Sequence, residues 1–321
     1  MIGRRLVSVF VLALALTASA AAQTYPDRPI RMIVPFPPGG PVDVTARIVG
    51  IPLGSVIGQP VVIENRGGAA GTIGSKAVAT AEPDGYTLLC GNISSLVVVP
   101  AVTNYRDYDP QKVFTPVAKL SQNYQVLVVA PQFGPKTVQE LIAYAKANPG
   151  KLNFGSAGPG NASHLAAELF KLKTGTDIMH VPYKGAADAM TGVMGGQVHM
   201  FFGDIAGAMS LIRDGKLRAL AWSSEVRNPE LPDMPTFLES GVDYRVLTYI
   251  GVVAPAATPP AIVQKLNAAI NQTLVLPEVT AAARRLTAEM RPGSAQEFGA
   301  FLAREREQWT EVVRRSGLTP N

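Results

Sequence analysis

The chain has 321 residues, 29 Lys+Arg against 24 Asp+Glu for a formal charge of +5, with 47% hydrophobic and 17% charged residues. So few charges beside so much apolar content exclude an intrinsically disordered chain, which needs low hydrophobicity and high net charge. Basic residues are interspersed with acidic ones and form no stripe, which argues against nucleic acid as a partner.

The first element is a leader. Met1–Arg5 is basic, Leu6–Leu16 is an apolar run broken by Ser8, and Ala20-Ala21-Ala22 fits an A-x-A cleavage site. This predicts a signal peptide over 1–22, cleaved before Gln23, and an exported mature chain, which the family resemblance below places in the periplasm. Arg4 and Arg5 leave with it, so the mature charge is +3. The run is too short to span a bilayer, which takes about 20 apolar residues. Later apolar stretches are interrupted by Gly, Pro or charge, so stable membrane insertion is not expected. Cys90 is the only cysteine, which excludes an intramolecular disulfide and a cysteine-based zinc site. It falls in an apolar run and reads as a buried small hydrophobe.

Strand and helix patterns then alternate. Ile30–Val34 reads as a buried strand, and a Pro/Gly turn over Pro35–Pro41 leads into a helix over Asp43–Ile57 that Pro52 should kink or end. Pro60–Glu64, Thr72–Ala81 and Tyr86–Cys90 read as strand, helix and strand. A second set begins at Val126–Ala130. Thr137 and Glu140 form a capping box for a helix ending at Ala147. Leu152–Gly155, Met179–Val181, Met200–Phe202 and Leu217–Trp222 read as strands. The intervening helices are Ala162–Thr174, Ala186–Met194 and Ile205–Arg213. Ile262, Leu266, Ile270 and Leu274 mark one closing helix, and the Ser294/Glu297 capping box opens another running through Val313. Such alternation predicts α/β units with parallel strands.

Catalytic and cofactor motifs are scarce. The three histidines, His164, His180 and His199, form no metal-binding pair. Both Gly-Lys pairs are followed by Leu, so the phosphate-binding P-loop is missing, and the glycines of Gly155–Gly160 have the wrong spacing for a dinucleotide fingerprint. No cofactor is expected. What remains is two similar loops, Pro35–Asp43 and Gly155–His164, each joining a strand to a helix start. Small residues let a ligand approach the backbone, and helix N-termini attract anions. Two such loops fit an anion held between them, or two ordinary turns. Asp43 reads most simply as a helix N-cap, with a contact to a ligand ammonium or bridging water as the alternative.

On these loops the chain resembles the Bug/TctC family of tripartite tricarboxylate transporter periplasmic substrate-binding proteins. The motifs are Tyr25-Pro26-Asp27-Arg28-Pro29-Ile30, Val34–Gly40 with Asp43, Ala46 and Arg47, and Ile63-Glu64-Asn65-Arg66 with Gly68, Ala69, Gly71 and Gly74. Pro83–Leu88, Phe114–Val117, Gly155–Gly158 with Ser163-His164-Leu165, Val181–Gly185, Gly195–Val198, Gly215–Ala221 and Leu231–Thr236 continue the match. The resemblance implies a two-domain periplasmic binding protein fold, type II-like, with two crossing strands and an interdomain cleft. Domain 1 would be 24–124 plus 248–321, and domain 2 would be 125–247. It implies a monomeric, non-enzymatic receptor for a small organic carboxylate, a di- or tricarboxylate or an aromatic carboxylate, that serves membrane transporter subunits. The site carried over is Phe36, Gly39, Gly40 and Asp43, then Asn92 and Ser94, then Ser156, Gly158, Asn161 and His164, with Asp204 facing the cleft. Arg47, Arg66, Tyr183 and Lys184 belong to the matching motifs but read as pairing or packing residues. Pro41, Val42, Gly203 and His199 stand where the family is often more polar, which predicts a less polar cleft. The rival readings are a carboxylate sensor and an exported hydrolase using Ser156 or Ser163 with His164.

Overall fold

The computed structural model describes residues 25–68, 71–98, 109–159, 161–286 and 288–316; the leader lies outside them. No helix among the described residues is long and apolar enough to cross a membrane.

Strand β1 (Ile30–Val34) is flanked by β2 (Val61–Asn65) and β3 (Thr87–Asn92), both parallel to it. Helix α1 (Pro41–Ile57) connects β1 to β2, and α2 (Thr72–Ala79) connects β2 to β3. α1 begins at Pro41, two residues before the expected start, because proline suits the first helical turn. It also runs through Pro52 and stops only at Gly58, whose left-handed φ of 84° closes it. Val49 and Leu53 on either side of Pro52 are fully buried, so packing carries the helix across the lost backbone bond.

The sixteen-residue β4 (Phe114–Val129) follows the short α3 (Pro110–Val113). Only its last residues carry a strand pattern in the sequence. Its first half holds Pro116, Lys119 and the polar run Ser121–Gln125, and the register slips near Pro116 and Lys119. A proline cannot donate to a ladder, which accounts for the first slip. Helix α4 (Val138–Ala147), β5 (Leu152–Ser156), α5 (Ala162–Thr174), β6 (Ile178–Pro182), α6 (Ala186–Met194), β7 (Met200–Asp204), α7 (Ile205–Arg213) and β8 (Arg218–Trp222) build the second half. The chain returns along β9 (Leu247–Pro255) and closes with α8 (Pro260–Leu274), α9 (Pro277–Arg285), β10 (Glu289–Met290) and α10 (Ala295–Ser316). The sequence pattern shows neither β9 nor α9.

The sheet order is β2-β1-β3-β9-β4-β7-β5-β6, with β8 and β10 also on β4. Strand β4 is therefore shared: Phe114–Tyr124 pairs with β9, and Gln125–Val129 pairs with β7. One apolar cluster runs under both halves and holds Leu127, Phe154, Phe170 and Phe202 together with Val253, Phe298 and Trp309 of the returning chain. The opposite face has two separate clusters, one around Val49, Leu88 and Leu266, the other around Val126, Phe201 and Trp222. Cys90 is fully buried in the first of these, and burial pushes its thiol up to about 12.

Thr137 caps its helix as expected, while Glu140 reaches back one residue beyond the reciprocal bond of a capping box. Thr137 Oγ1 accepts from the Glu140 N–H at 3.1 Å, and the Glu140 carboxylate accepts from the Lys136 N–H at 2.7 Å. Thr137→Ala is expected to lower stability by about 1 kcal/mol in a urea titration. A change too small to measure would mean that water replaces the cap.

Candidate functional site

The first loop is held from beneath by one carboxylate. Asp43 lies in the first turn of α1 and is not its N-cap; that position is Gly40, which makes no side-chain cap. The Asp43 carboxylate accepts from the Gly39 N–H at 2.9 Å, from Arg47 Nε at 3.1 Å and from Asn65 Nδ2 at 2.9 Å. Asn65 Nδ2 also donates to the Phe36 carbonyl at 3.1 Å. The carboxylate thus ties both limbs of the loop to the end of β2, and Gly39 supplies the left-handed φ of 81° that the turn needs. Arg47 holds the Asp43 carboxyl down to about 2, against the opposing effect of burial, with help from the Gly39 N–H and Asn65. Asp43 is only 3% exposed; it is shielded by its own loop and not by depth in the protein.

Gly74 packs α2 against the same loop. A Cβ there would meet the Arg66 carbonyl oxygen at 2.6 Å and Pro35 Cα at 2.9 Å. Asn92, at the end of β3, turns its Oδ1 back to accept from the N–H groups of Ser94 and Ser95, at 3.1 and 3.4 Å. The expected contacts Phe36, Gly39, Gly40, Asn92 and Ser94 therefore gather at the carboxyl ends of two adjacent strands, β1 and β3.

The second loop follows β5. Asn161 caps α5, accepting from the Ser163 N–H at 2.8 Å and from its hydroxyl at 2.7 Å. Ser163 Oγ in turn accepts from the Ala157 N–H at 2.9 Å. Gly158 takes a left-handed φ of 123°. Ser156 and His164 lie behind this surface, at 0% and 5% exposure. Ser156 Oγ is 2.6 Å from His180 Nε2, and the His180 ring stacks on His164 with centroids 3.7 Å apart. Burial, then the neighbouring His180, lowers the His164 pKa to about 4. His180 is lowered by burial as well. This histidine pair, which the sequence leaves 16 residues apart, could not be read from local spacing.

Strand register brings the loops together. Asn92 of β3 lies opposite Ile250, which lies opposite Ser121; Asp204 of β7 lies opposite Gln125. The carboxyl ends of β3 and β7 thus point toward each other along β4, four residues or about 13 Å apart at strand rise. Thr248 of β9 donates to Asp204 Oδ1 at 3.0 Å across this junction. Asp204 forms no side-chain cap to α7. Its side chain reaches solvent, yet surrounding protein raises its pKa by desolvation, against the lowering effect of Thr248. Its exposure limits any consequence for stability.

Two expected departures from a polar cleft fall elsewhere. Val42 is buried in the apolar cluster beneath α1. His199 precedes β7, at the end of that strand away from Asp204, where it meets Asn153 at 2.7 Å and the Phe133 ring. Arg47 and Arg66 are paired, with Asp43 and Glu64. Tyr183 packs beside Gly155 and Gly192, while Lys184 is exposed. Among the described residues no group of three or more His, Cys, Asp or Glu side chains could hold a metal ion.

An α/β chain with two half-sheets on shared antiparallel strands, and loop–helix junctions at their facing ends, has the fold of the periplasmic binding proteins. It belongs to the family described as the tripartite tricarboxylate transporter family receptor (TctC), whose pattern matches residues 45–318. Protein BugT of Bordetella pertussis is 37% identical over 317 residues, covering 97% of this chain and 96% of BugT. Among solved structures, R. palustris Rpa4515 with adipate is 34% identical, with a TM-score of 0.75 over 92% of this chain and 100% of that one. MatC from Rhodopseudomonas palustris with bound malate is also 34% identical, with a TM-score of 0.72 over 90% of this chain and 100% of its own.

Proposed function

We propose that this protein is a periplasmic receptor that captures a small organic carboxylate between its two loops and delivers it to the membrane subunits of a tripartite tricarboxylate-type transporter. The observation that carries this reading is that the carboxyl ends of β3 and β7 point toward each other along β4, where the neighbouring starts of α1 and α7 are not closed by a side-chain cap. First-turn N–H groups lack intrahelical partners and carry partial positive charge, so two such ends suit the two carboxylates of a diacid. Solved relatives with adipate and malate support the same ligand class. Ligand contacts come from Phe36, Gly39, Gly40, Asn92, Ser94, Gly158, Asn161 and Asp204, with ordered water bridging where direct contact is missing. Asp43, Ser156 and His164 act from behind. The moving units are 24–124 plus 248–321 and 125–247, with 1–22 removed on export, and the receptor works as a monomer. Closure needs the ligand to bind the closed state better than the open one.

The hydrolase reading has less support. Ser156 is fully buried beside His180, and Ser163 is committed to Asn161 and Ala157, so neither hydroxyl is placed to attack a bulky acyl group.

The test is calorimetric titration of the mature chain, residues 23–321, with adipate, malate, citrate, benzoate and arginine. Saturable binding of a carboxylate, with arginine silent and compaction in solution scattering, is expected. At 100 times the dissociation constant the same ligand stabilises the fold by about 2.7 kcal/mol. Binding of arginine alone, or of nothing in the panel, would overturn the assignment.

A further inference from the structure

A second cavity lies behind the hinge. Thr248 joins β9 to the end of β7 along one edge of β4, so β10 and β8, which pair with the same stretches of β4, occupy the opposite edge. On that edge a cavity of about 520 Å³ opens between the halves, within the 300–1,000 Å³ of small-molecule sites. It lies where the second face of the sheet changes from one apolar cluster to the other: Tyr124, Met209 and Trp222 come from one, and Met290 packs on the other.

Its lining has a definite chemistry. The Tyr124 and Trp222 rings meet with centroids 5.6 Å apart, and the two methionines give a wall that adapts to a flat guest. Four charged side chains line the cavity. Arg227 pairs with Glu239, Glu230 with Arg213 and Glu289 with Arg291. Among the described residues only the fourth, Arg284, has no ion-pair partner. Its place in the last turn of α9 suits a cation, but does not neutralise it.

We propose that this hinge-edge cavity binds a small planar aromatic anion, with its ring against Tyr124 and Trp222 and its charge on Arg284. The site is separate from the carboxylate cleft and does not depend on that reading. An occupant touches both halves, α7 on one side and α9 with β10 on the other.

The probe is 1-anilinonaphthalene-8-sulfonate, an aromatic sulfonate. Titrated into the mature chain, it should show saturable fluorescence with one site per molecule. Arg284→Glu, at an exposed position, should weaken it at least about fivefold with unchanged circular dichroism, and Met209→Trp should abolish it by filling the cavity. If Met209→Trp does not fold, the Arg284→Glu comparison decides alone. Absence of saturable fluorescence in the unsubstituted chain, or an affinity unchanged by Arg284→Glu, overturns the proposal. Complete competitive displacement by a carboxylate that binds the cleft does so too. Arg284→Glu lies outside the two loops, so calorimetry of that variant with the same carboxylates reads the receptor assignment independently.

Discussion

Between pH 6.5 and pH 4 the folded chain is expected to lose on the order of 3 kcal/mol of stability through His164. The imidazole is 5% exposed, stacked on His180, and has its Nε2 3.8 Å from the Glu168 carboxylate. That carboxylate is already engaged by Lys171 at 2.9 Å, so it offers a second cation little compensation. Burial, reinforced by His180 and Lys171, keeps the ring neutral down to a pKa of about 4. The unfolded chain takes up the proton near 6.5. Over that interval the unfolded state binds more protons, so stability is complete above 6.5 and falls as the pH drops toward 4. Each pH unit in the window is worth about 1.4 kcal/mol, which gives the stated size. His180 adds to the slope with the same sign. Urea midpoints at pH 7 and pH 4.5 should converge for His164→Phe, which keeps a ring but cannot titrate. Equal pH slopes in the two proteins would show that the acid transition starts elsewhere. Because His180 holds Ser156 at the head of the glycine loop, ligand affinity should fall over the same interval.

Helices 162–174, 186–194 and 205–213 are legible in the sequence because their information is local. Apolar spacing marks each face, and Asn161 supplies its cap within two residues of the group it binds. The crossing segment is not legible. Pro116 and Lys119 break the pattern of a stretch whose Val117, Ala118 and Leu120 are buried in one core, and the polar run Ser121–Gln125 lies where β4 changes partner from β9 to β7, between two cores. The glycine loops are readable as loops at helix starts. What each side chain faces is not, since one residue's difference along a helix turns Val42 into the core while the neighbouring Asp43 is drawn toward Arg47 and Asn65. Thr248 meets Asp204 from 44 residues away, a distance at which spacing carries no signal.

Asp43→Ala is expected to cost about 3 kcal/mol at neutral pH, the loss typical of removing one partner from a shielded charged network. Truncation removes the acceptor for the Gly39 N–H and for Asn65 Nδ2, and with it the link that holds the loop to β2. Arg47 suffers less, because its side chain is 47% exposed and water can replace the carboxylate. Arg47→Ala should therefore cost clearly less than Asp43→Ala, because it leaves the carboxylate with Gly39 and Asn65. The pH dependence separates charge from packing. The folded pKa of about 2 lies below the ordinary 3.8, so the carboxylate's contribution is complete above 3.8 and disappears as the pH falls through 2. The gap between the two proteins should narrow by about 2 kcal/mol over that range, and a constant gap would assign the loss to the cavity left behind. Carboxylate affinity should drop with stability at neutral pH, since Gly39 and Gly40 are positioned by the same bonds. Full affinity in a destabilised Asp43→Ala would detach the loop from the ligand and leave Asp43 a purely structural residue.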